Sequence, residues 1–462
     1  MPAISPQMSP DAIAALTAHT WTPQPDPARL IRKLLEECLD RCSFADELSR
    51  RMLSETGTRM VDWLDHIGLP VDDPLLDEIT DVGYVRADQQ GTIAYEHKKG
   101  LFPRIRIHYG GSRQLAVKVE SVVDFLVAQG LTGVTVEGPP LASVRMASVA
   151  RENEVEVLAV ERHGSLAFDV NPVEDVPAAA ILQHGEALRM RRRDFASNDD
   201  GFIHAIGLIE PAISDLGRNR ACELFFAAER EYWLRRNTAG RVQKARQDLL
   251  GLGWANHDHH TYRSSRGAFA LLIAFLERLG FVCRERFYAG LEAGWGAQVI
   301  EHPVTGITIF ADVDMSPEEV SQDFSHEPLP SRNELGTVGL WCALHGEAFL
   351  QAGLHHLECQ FDFSATRDQL QHAGIETMAP FTDLPYLRQA FTKGETWKVD
   401  PARVELLRCQ NRITDDEAQQ FLLKGALGSH LEILQRNDGY KGFNQKGISE
   451  IISATDPRKV AR

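Results

Sequence analysis

Long apolar runs, paired cysteines and an excess of positive charge are all missing from this sequence, and each absence removes a class of protein. No stretch stays apolar over the roughly 20 residues that a membrane-spanning helix needs, so no bilayer span is expected. The seven cysteines are scattered without a CxxC pair, and Cys38 and Cys42 lie one helical turn apart as core-facing residues. Dispersed thiols of odd number suit a reducing, cytoplasmic setting. The net charge of -16 has the wrong sign for a phosphate backbone, so no nucleic-acid partner is expected. The basic run from Arg189 to Arg193 reads as solvated helix surface. The N-terminus lacks a basic segment followed by an apolar core, the signature of a secretory signal.

What remains is ordinary for a globular chain with several structural units: 43% hydrophobic and 25% charged residues over 462 positions. Periodicity divides it into an N-terminal helical segment (1–90), a strand-rich unit (91–170), a helical insert (171–254), a second strand-rich unit (255–325) and a mostly helical remainder (326–462). In the first unit the helix QLAVKVESVVDFLVAQG stops at Gly130, and GVTVEG, SVRMASVA and EVEVLAVERHG read as three strands. In the second, GAFALLIAFLERLG is followed by VCRERFYAG, WGAQVIEHP and ITIFADVD. Both units therefore read as a strand, a helix and three strands, an α+β class. In the remainder, DDEAQQFLLKGALGSHLEIL and KGISEIISATDP are the clearest helices, with strand-like pieces near 338–363.

PRIRIHYGG at 103–111 and NHDHHTYRS at 256–264 open the two units. Side chains alternate across a strand, so Arg104, Arg106 and His108 share a face, as do Val155, Val157, Ala159 and Glu161. The same parity groups His257, His259, Thr261 and Arg263, with His260 pointing away. Two such sheets face to face could bring His108, Glu161 and His257 or His259 to one metal ion. Two imidazoles and one carboxylate form the ligand set of non-haem Fe(II) oxygenases. Arg263 lies four residues past His259, roughly 13 Å along a strand, and suits the binding of a substrate carboxylate. Arg145 and Ser148 are further candidates for gripping substrate. Competing ligand groups are His345, His355 and His356 with Glu347 and Glu358, and the pair Glu301–His302, while Asp312 and Asp314 stand where Glu161 does in the other unit.

At these residues the sequence resembles the 2-oxoadipate dioxygenase/decarboxylase family of the vicinal oxygen chelate superfamily. IHYGG with VEGPP and VRMAS, VERHGSLA, DHHTYRS and the helix DDEAQQFLLKGAL carry the likeness, with the two units in swapped order. The resemblance implies two βαβββ units forming one metal cavity. It favours His259 over His257, giving His108, Glu161 and His259 as ligands and Arg263 as the catalytic, substrate-orienting residue. It also implies Fe(II) as cofactor and O2 as co-substrate. The reaction would decarboxylate and hydroxylate a small 2-oxo acid to a 2-hydroxy acid one carbon shorter. The alternative on the same fold is a Zn2+, Ni2+ or Mn2+ glyoxalase-like isomerase or lyase.

Overall fold

The computed structural model describes residues 21–89, 91–289, 293–444 and 455–459. KGISEIISATDP falls mostly outside them. Two sheets divide the strands. The first holds β1 (Leu64–Pro70), β2 (Val85–Arg86), β3 (Ala94–Glu96), β4 (Arg104–His108), β5 (Arg113–Lys118), β6 (Val144–Glu152) and β7 (Val155–Arg162), in the order β2-β3-β4-β1-β5-β7-β6. The second holds β8 (His257–Arg263), β9 (Val282–Tyr288), β10 (Trp295–Glu301), β11 (Thr308–Asp314), β12 (His356–Gln360), β13 (Thr382–Leu384), β14 (Leu387–Phe391), β15 (Glu395–Trp397) and β16 (Ala426–Arg436). Its order is β13-β14-β16-β12-β8-β11-β10-β9, with β15 also on β16.

One pattern generates both orders. In β8–β11 the first strand runs parallel to the last, and helix Phe269–Arg278 connects the first to the second. β12 likewise pairs in parallel with β16, with helix Phe363–His372 after it. β8 and β12 then meet antiparallel at the centre. Sheet 1 repeats this: β1 is parallel to β4, β5 is parallel to β7, and β1 and β5 form the antiparallel seam. The chain thus contains four βαβββ-like units, paired within each sheet.

This corrects the expected pairing of unit 91–170 with unit 255–325. The former pairs with 64–108, which reads as helical only up to 90 and as the opening of the first unit beyond it, and the latter pairs with 356–436 of the mostly helical remainder. The first strand of the earlier unit is β5, while PRIRIHYGG supplies the last strand of the unit before it. GVTVEG forms only an isolated bridge, Glu137 to Met146. The expected long helix at 415–434 stops at Lys424, because Gly425 takes φ +76 and a Cβ there would run into the Trp397 carbonyl. The chain turns at that glycine and enters β16.

Apolar parity fixes which face is covered. Ile67, Leu69, Ile105, Leu115, Val117 and Val157 pack beneath sheet 1 with Phe125 and Leu126 of helix Val122–Ala128. Four helices, Ala178–Arg189, Asn198–Leu216, Arg218–Leu234 and Thr238–Leu249, follow sheet 1 in the chain and precede sheet 2. Residues of all four join the large core beneath sheet 2. On its other face, sheet 1 is plugged. Phe168 packs edge-on against His66 and lies under Arg104, and Ala167 seals against Ala116, Leu158 and Val160. Sheet 2 keeps that face open. No helix among the described residues is long and apolar enough to cross a membrane.

Candidate metal centre

The open face of sheet 2 gathers its polar residues along the seam. Register places His259 opposite Glu358, and Glu358 opposite Glu432, in one row across β8, β12 and β16. One ligand atom from each of these three lies within 4.8 Å of the others, and all three residues are buried. Further along β12, His356 turns Nε2 back to Glu358 Oε1 at 2.6 Å and to Glu432 Oε2 at 3.9 Å. His259 Nε2 is 3.3 Å from Glu358 Oε1. Two imidazoles and two carboxylates therefore converge from three adjacent strands, and strands hold such a set rigidly.

Neighbouring bonds orient the donors. His259 Nδ1 bonds Asp258 Oδ2 at 2.8 Å, and Arg436 clamps the same carboxylate through two bonds of 2.8 and 3.1 Å. Burial alone would raise Asp258, but Arg436 and His259 outweigh it and hold the carboxyl well below its usual range. An ionised carboxylate only accepts, so Nδ1 carries the ring proton and Nε2 presents its lone pair to the row. This is the carboxylate–histidine arrangement typical of metal ligands. Burial pushes His259 and His356 down, leaving both neutral near pH 7. Thr261 Oγ1 donates to Glu358 Oε1 and Gln389 Nε2 to Glu432 Oε1, each at 2.7 Å.

A divalent cation fits this donor set. Burial raises both Glu358 and Glu432, Glu432 to about 8, and repulsion from Glu432 adds to the Glu358 shift. No lysine or arginine forms an ion pair with either among the described residues, and Glu358 Oε2 is buried without a hydrogen-bond partner. Buried carboxylates without a counter-charge are costly, and a metal ion supplies that charge. His259, His356 and Glu432 line a cavity of about 70 Å3, walled by Phe287, Phe310 and Phe391. Arg263 lines it too. Its Nε and Nη1 are buried and unpartnered, and Asp312 opposite it across β11 has an unpartnered Oδ1. Burial lowers Arg263 against the pull of Asp312, and raises Asp312 well above its usual range against the pull of Arg263.

The expected ligand set is not brought together. His259 sits in sheet 2, while His108 and Glu161 sit in sheet 1. There β4 and β7 are three strand spacings apart, about 14 Å, and run in opposite directions, so the two residues lie towards opposite ends of the sheet. Glu161 is engaged in holding sheet 1 together. It accepts from Val122 N at a helix start (2.8 Å), pairs with Arg145 (3.1 Å) and bonds His163 Nε2 (2.7 Å). His108 Nδ1 accepts from Gly110 N at 3.0 Å. Ser148 donates to Glu156 at 2.7 Å. Arg145 and Ser148 therefore do not reach the cavity, whereas Arg263 does. Parity also fails at His257, because an irregularity in the β8–β12 register next to His259 turns it to the back face, against His260 with ring centroids 5.0 Å apart.

A second cluster, Glu277, Cys283 and His326, has metal-like spacing. His326 there already bridges Glu277 and Asp323, at 2.9 Å each. A contact with Cys283 and the bond to Glu277 drive its pKa up to about 11. That group neutralises itself.

No family model and no curated protein matches the chain. Among solved structures, a variant of 4-hydroxymandelate synthase from Streptomyces coelicolor aligns over 85% of this chain and 97% of its own, at 11% identity and a TM-score of 0.28. A protein of Shewanella frigidimarina NCIMB 400, described as a candidate hydrolase, covers 47% of this chain and 95% of its own, at 16% identity and a TM-score of 0.32. Methylmalonyl-CoA epimerase from Mycobacterium tuberculosis covers 39% of this chain and 88% of its own, at 11% identity and a TM-score of 0.23. Likenesses of this size establish neither a family nor an activity.

Proposed function

We propose that the chain is a metal-dependent enzyme acting on a small 2-oxo acid, with His259, His356 and Glu432 as ligands of an Fe(II) ion. The observation that carries this is the shared cavity. Three donors of the two-histidine, one-carboxylate type and an unpartnered buried guanidinium open onto the same space. Glu358 lies beneath them, fully buried and bonded to Thr261, as a fourth donor or a proton store.

Held by His259, His356 and Glu432, an Fe(II) ion would supply Lewis acidity and the chemistry of O2 activation. The chain's own residues bind and orient. Arg263 offers Nε and Nη1 to a substrate carboxylate, a role that a planar fork fills and a metal ligand cannot. Asp258 fixes the His259 tautomer, Gln389 fixes Glu432, and the phenylalanine walls keep bulk water out.

The test is anaerobic Fe(II) loading followed by O2-uptake and CO2-release assays across a panel of 2-oxo acids. One tightly bound iron and substrate-dependent uptake of O2 are expected. Turnover with Zn2+, Ni2+ or Mn2+ and no O2 consumption would replace the dioxygenase reading with an isomerase or lyase on the same ligands. No stoichiometric metal of any kind would remove both.

A further inference from the structure

Behind β8, on the side away from the metal centre, lies a second cavity of about 240 Å3 between the edge of sheet 1 and residues 303–307. Four cations line it, Arg104, Lys118, Arg162 and Arg230. Arg162 is neutralised by a fork to Asp65, with bonds of 2.6 and 2.7 Å. The other three have no carboxylate in contact, and Asp65, Glu120 and Glu223 attract them only from a greater distance. Arg104 donates to the Leu166 carbonyl at 2.8 Å and to Gln89 at 3.1 Å, both neutral groups. Arg230 has one long contact, 3.4 Å to His260 Nε2. Lys118 has no hydrogen bond or ion pair, and no carboxylate stands within ion-pairing distance of any of the three among the described residues.

The carboxylates that line the cavity are engaged elsewhere. Glu120 pairs with Lys244 at 3.1 Å, and Glu223 bonds His163 at 2.7 Å, its other oxygen 3.9 Å from Arg220. Gathering three cations without a contacting carboxylate around one partly enclosed space is unfavourable, and an anion there would offset the cost.

We propose that this cavity binds a small, multiply charged oxyanion, a phosphate or a dicarboxylate, held by Lys118, Arg104 and Arg230. Two guanidinium forks and one ammonium suit oxygens of either group. The cavity meets the metal centre only through β8, whose His257 lines it. The proposal therefore stands without the catalytic reading.

The test is thermal unfolding of the full chain in phosphate, succinate or chloride at constant ionic strength, with calorimetric titration of the anion that stabilises. Tm should climb with the logarithm of phosphate or succinate concentration and stay flat in chloride. The effective anion identifies the source. Lys118→Met should weaken that anion's affinity at least tenfold, and should raise Tm in its absence by removing a cation that has no contacting counter-charge. Arg104→Gln should weaken affinity likewise and serves if Lys118→Met does not fold. The proposal is overturned if neither anion stabilises more than chloride, or if a folded variant responds to the anion as the parent does.

Discussion

Replacing Asp258 by Asn is a small chemical change, yet it should damage both metal affinity and stability. The parent carboxylate accepts from His259 Nδ1 and takes two bonds from Arg436, with both partners of the ion pair almost wholly buried (side chains 3% and 4% exposed). An amide has one acceptor oxygen and an NH2 group. If the oxygen stays with Arg436, the NH2 faces His259 Nδ1 and favours the tautomer that protonates Nε2, the atom meant for the metal. Loss of such a supporting contact costs roughly 10–100-fold in metal affinity. The guanidinium meanwhile loses its counter-charge. Breaking a buried pair costs about 3–5 kcal/mol, and the retained amide bond places Asp258→Asn near the lower figure, ~3 kcal/mol. Denaturant unfolding gives the second quantity, and anaerobic titration with Co(II), followed by its visible absorption, gives the first. Unchanged Co(II) affinity in a folded Asp258→Asn protein would show that Asp258 does not set the His259 tautomer and would remove the main support for His259 as a ligand.

Other variants separate the two ligand sets. His356→Ala and Glu432→Gln should abolish stoichiometric metal by elemental analysis, whereas His108→Ala should retain it; the reverse pattern would restore the sheet 1 ligands. Glu161→Gln should keep the metal but lower Tm, since it weakens both the cap on Val122 N and the pair with Arg145. Arg263→Lys should bind metal like the parent while kcat/KM for 2-oxo acids falls roughly ten- to a hundredfold, the cost of one charge-assisted bond; parental turnover would make Arg263 structural. His326, raised to about 11 by Cys283 and Glu277, should keep a protonated ring through pH 9 in nitrogen NMR. Because its folded pKa is raised, its stabilising contribution is complete below about 6.5 and fades as pH climbs towards 11. A His326 midpoint near 6.5 would refute the ion-pair account.

Much of the local structure is legible in the sequence, and the long-range pairing is not. Strand parity correctly puts Arg104, Arg106 and His108 on one face and Ile105 on the core side, and it puts His259, Thr261 and Arg263 on the cavity face. Parity says nothing about which distant strand becomes a neighbour, so only analogy of position groups His108 and Glu161 with His259. A signal for the residues that stand beside His259 in sheet 2 is present. His356, Glu358 and Gln360 alternate with Leu357, Cys359 and Phe361, and His430 and Glu432 alternate with Leu431 and Ile433. That alternation is hidden in the second case because ALGSHLEIL follows a strong helix without proline, and only Gly425 marks the boundary. His356 and Glu358 stand among the competing ligands, within the strand-like pieces near 338–363, but the sequence names no partner strand to rank them.

The seam between β8 and β12 also bears on how the protein matures. His259, His356 and Glu432 come from segments that are remote in sequence, and they meet only after both halves of sheet 2 have formed and docked. Non-local strand pairing of this kind is slow, because loop closure is costly before any contact rewards it. The nascent chain therefore has no chelating pair within one strand until late, apart from His356 and Glu358. Metal capture should accompany the last docking step rather than seed the first, and a bound ion would latch the finished sheet and slow its opening.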